Sequence, residues 1–192
     1  MGRGGGTVTR DNSAESEAVT GRLLILEYEQ VKEEQRARIG FRDNLLYATL
    51  AAMAAIITFS LQSHGRPELL LLLPPASALL GWAYLVNDEK ISAIGRYVRE
   101  DLGPRLTALA PGRPPVFGWE RAHRDDGRRI SRKRLQLAAD LLLFTVAPIA
   151  ALIVYWTSEP VRAVLLAVSV AEVAVVVVLA VQIVLYADLH RP

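Results

Sequence analysis

Val161 to Tyr186, VRAVLLAVSVAEVAVVVVLAVQIVLY, decides the fold. After Arg162 it carries one charged side chain, Glu172, and its apolar residues follow neither a helical stripe nor strand alternation. A stretch apolar on every side and this long matches a bilayer span, since about 20 apolar residues cover a hydrocarbon core of roughly 30 Å.

Three more blocks of the same kind lie upstream. Leu137 to Trp156 holds Asp140 near one end and Pro148 near its middle. Asn44 to Leu61 has no charge, and Leu69 to Val86 contains Pro74-Pro75, where two missing amide donors predict a kink. Trp82 and Tyr84 near the end of that block suit a membrane interface. The expected fold is all-α: four transmembrane helices arranged as two hairpins, 44–86 and 137–186, with a short tail 187–192.

The charged segments supply the rest. Residues 1–20 are Gly-rich and polar, which predicts a disordered tail without an apolar signal-peptide core. Residues 21–43 read as an amphipathic helix, with Leu24, Tyr28 and Val31 on one face and charges around the others. No proline separates this helix from the first span, so the two are expected to be continuous. Within 87–136, Asn87 or Asp88 is the expected cap of a short helix whose stripe is Ile91, Ile94, Val98 and Leu102. That stripe is a candidate surface for partner docking, either onto the N-terminal helix or onto a neighbouring subunit. The Gly103-Pro104 pair and APGRPP, 110–115, mark a loop.

Basic residues set the expected orientation. Seven lie before span one and twelve in 87–136, against Arg66 and Arg162 in the two short connections. Basic residues stay on the cytoplasmic side, so both termini are expected there, in the inner (plasma) membrane. Arg128, Arg129, Arg132, Lys133 and Arg134 act first as a topology signal and second as a contact for anionic lipid headgroups. Arg outnumbers Lys nineteen to three, a bias of GC-rich bacterial genomes.

Two further patterns bear on function. Asn44 to Ile57 (NLLYATLAAMAAII) and Asp140 to Ile153 (DLLLFTVAPIAALI) match at seven of fourteen positions, through duplication or through shared composition. Glu172 lies mid-span, where an acidic group costs about 2.5–3.5 kcal/mol and so faces a bundle interior, a partner or water. Ser169 and Ser77 are its candidate hydrogen-bond partners, and Asp140 is expected to snorkel and pair with Arg134 or another nearby Arg.

Enzyme signatures are absent. There is no cysteine, and His64, His123 and His190 fall in three separate segments. Asp126-Gly127 starts like the motif of CDP-alcohol phosphotransferases, but Ile130-Ser131 stands where Ala-Arg is needed. Gly2 to Gly6 follows no strand and is no phosphate loop. No metal or cofactor is expected, and nucleic acid is not an expected partner, because Trp119 alone gives no aromatic interleaving.

The run NDEKISAIGRY, 87–97, directly after span two, resembles a feature of bacterial multi-pass proteins of GC-rich, actinobacterial type. With four spans and a cytoplasmic helix, the layout is similar to membrane effectors of bacterial conflict systems, which permeabilise the inner membrane when triggered. The resemblance implies a membrane-perturbing role and carries over no catalytic residue. The functional expectation is a non-enzymatic, homo-oligomeric membrane protein that forms a pore or scaffold, its cytoplasmic helices open to a signal or protein partner. An accessory subunit of a larger membrane complex is the alternative, and a lipid-modifying enzyme a remoter one.

Overall fold

No proline interrupts the chain from Gly5 to Gln62, and helix formers dominate it, so α1 runs unbroken over Gly5–Gln62 in the computed structural model. The structure describes residues 5–62, 66–109, 129–158 and 162–187, with side chains from Glu15 onward and excluding 129–130. All described segments are helical, with no strand among them. The expected continuity of the amphipathic helix with span one is borne out. The helix also reaches back to Gly5, into the stretch whose composition predicts a disordered tail. Side-chain pairs one turn apart line its charged part: Glu34 accepts from Arg38 Nε at 2.9 Å and Glu33 from Arg36 Nη1 at 3.0 Å.

After α1 comes a 3-10 turn, Pro67–Leu72, and then α2, Leu73–Tyr97. Pro74-Pro75, where a kink within a helix is expected, do not lie in the interior of an α-helix. The backbone instead changes helix type before the pair, which leaves both prolines in the first turn of α2, where amide donors have no intrahelical acceptor anyway. Asn87 and Asp88 do not cap a helix either: α2 passes through both, because nothing between Leu85 and Tyr97 breaks it. A π-turn, Val98–Leu102, leads into α3, Gly103–Ala108. Beyond lie α4, Arg129–Leu141; a second π-turn, Leu142–Val146; α5, Ala147–Thr157; and α6, Ala163–Tyr186.

Both π-turns end two residues before a proline, Pro104 and Pro148. Proline removes the amide that would bond four residues back, and the wider turn answers by bonding five back. Gly103 N–H reaches Val98 C=O, and Ala147 N–H reaches Leu142 C=O.

Four helical stretches are long and apolar enough to cross a membrane: Glu15–Gln62, Pro67–Ala108, Ser131–Thr157 and Ala163–Tyr186. The chain divides into two units. The charged unit comprises residues 1–38 and 90–126, the apolar unit 39–89 and 127–192.

In the charged unit, α1 pairs antiparallel with the end of α2 and its π-turn. Leu24, Val98 and Leu102 form the core, with Tyr28, Val31, Ile94 and Leu106 around it. Val98 and Leu102 are 0% exposed, so half of the stripe assigned to partner docking is covered by the chain's own helix. The unit supplies this partner itself because Leu24, Tyr28 and Val31 present a matching stripe.

The apolar unit has its main core where α1, α2, the second π-turn and α6 meet, through Leu45, Tyr84, Leu85, Phe144, Leu179 and Ile183. Gly81 lets these segments approach: a Cβ there would stand 2.8 Å from both Leu179 Cδ2 and Phe144 Cδ1.

Candidate functional site

A helical hairpin brings together residues equally far from its turn, and Arg42 and Asp88 lie equally far from Gly65. Arg42 Nη1 donates to Asp88 Oδ1 at 3.0 Å, tying α1 to α2, and Arg42 Nη2 also approaches Asp43 at 3.3 Å. Burial works against the Arg42 charge, but the hydrogen bond and the charge of Asp88 outweigh it and hold the guanidinium above its ordinary value.

One turn from Asp88, Tyr84 is 3% exposed and its phenol lies near the carboxyl of Asp140 on α4. Gln136 Nε2 reaches the same phenol oxygen at 3.5 Å, and the Tyr84 ring tilts against Phe144 at 5.3 Å. Asn87 is buried beside them in sequence and also has an interaction partner. The result is a polar layer at one end of the apolar unit, in which three helices bring the carboxyls of Asp43, Asp88 and Asp140 around one cation, Arg42. Asp140 forms no ion pair with Arg134 among the described residues; it lies near Tyr84 of α2, and Arg42 is the arginine whose charge reaches it.

The expected grouping of Glu172 with Ser169 and Ser77 does not form. Ser169 Oγ accepts from Trp156 Nε1 at 2.9 Å and donates its one proton to Leu166 C=O at 2.8 Å. Ser77, on α2, is buried and its Oγ has no partner. Glu172 is only half-buried, yet its Oε2 is enclosed without a hydrogen-bond partner. Thr145 Oγ1, inside the second π-turn, is likewise enclosed and unpartnered. Its counterpart in the matching stretch, Thr49, bonds back to Leu45 C=O at 2.7 Å, a bond that the regular α-helix there permits.

Of the basic run, Arg132 and Arg134 are exposed on α4 and Lys133 is half-buried. Arg128 and the side chain of Arg129 lie outside the described residues, as do His64, His123, His190 and Trp119. Among the described residues, no three His, Asp or Glu side chains are grouped to hold a metal.

Sequence reasoning missed the Arg42–Asp88 link and the approach of Tyr84 to Asp140. The first was readable from hairpin symmetry alone. The second needs the rotation of α4 about its axis, which no pattern in the sequence gives.

No family model, curated protein or solved structure matches the chain.

Proposed function

We propose that this chain is a non-enzymatic integral membrane protein that works as a homo-oligomeric pore, with Glu172 facing the surface shared by its copies. The observation that carries the reading is the state of that carboxyl. One oxygen is enclosed without a partner, the side chain is half-exposed, and the rest of α6 from Ala163 to Leu179 is apolar or hydroxylic. In hydrocarbon such a group demands a donor, a cation or water. A closed ring of copies supplies these around one axis, where each carboxyl meets its symmetry mates or a water-filled lumen. The surplus of basic residues outside the two short connections supports an orientation with the charged unit in the cytoplasm, in contact with anionic headgroups.

The test is particle imaging of the protein in nanodiscs together with cation flux into liposomes. A ring assembly is expected, and Glu172→Gln should keep the ring while reducing flux by about tenfold or more. A monomer, or flux unchanged by the substitution, overturns the reading.

A further inference from the structure

The apolar unit carries a cleft of about 620 Å³ at the end opposite the Arg42–Asp88 layer. Its walls come from three elements: Met53 and Ile57 of α1, Leu70 of the 3-10 turn, and Ala147, Ala150 and Ala151 of α5. The alanines create the space, since any longer side chain on that face of α5 would fill it. Ile57, Leu61 and Val154, which also line the cleft, are 45%, 76% and 51% exposed, so it opens sideways rather than being sealed.

Water gains little in such a space, because its walls are apolar apart from the hydroxyls of Ser60 and Ser158. The volume falls within the roughly 300–1,000 Å³ of small-ligand pockets. Within a span, the apolar ligand always at hand is a lipid acyl chain.

The rim specifies the head. Ser60 Oγ, in the cleft wall, donates to Arg66 C=O at 3.1 Å and pins the backbone there. Arg66 and Glu68 flank Pro67, itself a lining residue, and both are exposed. Neither forms an ion pair among the described residues. A cation and a carboxylate two residues apart complement a zwitterion. A purely anionic head would meet repulsion from Glu68, and a quaternary amine could not donate hydrogen bonds to it.

We propose that this cleft holds an acyl chain of one phosphatidylethanolamine per chain, its phosphate on Arg66 and its ammonium on Glu68. The site is separate from Glu172, so it stands whether or not the chain forms a pore.

Native mass spectrometry of the full chain, released from detergent containing phosphatidylethanolamine, phosphatidylcholine or phosphatidylglycerol in turn, tests it. One retained phosphatidylethanolamine per chain is expected, with the other two held about tenfold less. Ala150→Trp, at an exposed position that points no bulk into the core, should abolish retention. Val154→Phe on the lip should weaken it and guards against a folding defect in the first variant. Arg66→Gln and Glu68→Gln should each erase the headgroup preference. Retention unchanged in Ala150→Trp and Val154→Phe overturns the proposal, as does equal retention of all three lipids. Because the chain has no cysteine, Ala150→Cys gives a further arm: efficient cross-linking between copies in phosphatidylethanolamine bilayers would mean that a second chain occupies the cleft, and would also overturn it.

Discussion

Tyr97 and Glu27 are separated by seventy residues, yet the phenol donates directly to the carboxylate. The bond needs the proton on Tyr97, and the carboxylates of Glu27 and Asp101 nearby further disfavour a phenolate, while Arg105 works the other way. Tyr97 is therefore raised above its ordinary value of 10.0, chiefly by the hydrogen bond to Glu27. A group raised in the folded state contributes stability that is complete below the unfolded value and is lost as pH climbs through the folded one. The charged unit should thus weaken above about pH 10, where the unfolded phenol ionises first. Urea midpoints followed by hydrogen exchange of residues 20–38 would measure this. The fall between pH 9 and 11 should be smaller in Tyr97→Phe than in the wild type, and equal slopes would remove Tyr97 as its source. The stripe beside Tyr97 was legible because Ile94, Val98 and Leu102 repeat at helical spacing. The Tyr97–Glu27 bond was not, because its formation depends on how two helices are rotated against each other.

At the scale of elements, span position was readable and helix type was not. Runs of apolar residues set where α1, α2, α5 and α6 lie, since burial in either protein or hydrocarbon needs only composition and length. Pro74-Pro75 reads as a kink and Gly103-Pro104 as the start of a loop, whereas Gly103–Ala108 is helical. In the structure Pro74-Pro75 open a helix, and Pro104 and Pro148 are each accommodated by a π-turn just upstream. Whether a proline bends, starts or widens a helix depends on what the preceding carbonyls find nearby, which is tertiary information. The Arg42–Asp88 bond ties α1 to α2 at the boundary of the apolar unit, with side chains only 25% and 29% exposed. Removing either partner leaves the other charge poorly solvated, so Arg42→Gln and Asp88→Asn should each destabilise by about 1–3 kcal/mol. The double variant should cost less than the two single losses added, with a coupling of about 1 kcal/mol measured by unfolding in mixed micelles. Full additivity would mean that Arg42 relies on Asp43 instead.

Over the whole molecule, the two units differ in what holds them. The charged unit has three fully covered apolar side chains, Leu24, Val98 and Leu102, supported by the Tyr97–Glu27 bond and a contact from Gln35 Nε2 to Ile91 C=O at 3.3 Å. The apolar unit has three separate clusters, and its helices are apolar enough for a bilayer to protect their backbone bonds. Urea weakens apolar burial in water but has little hold on helices sunk in lipid. Loss of structure should therefore occur in two steps, with amides of 20–38 and 91–108 exchanging at lower urea than those of 76–86 and 165–183. Val98→Ala tests the assignment of the first step. It removes two methyl groups from a fully covered site, a loss of about 2 kcal/mol, and should lower the first midpoint while leaving the second in place. A single transition moved as one by Val98→Ala would mean that the charged and apolar units fold as one cooperative body, their separate cores notwithstanding.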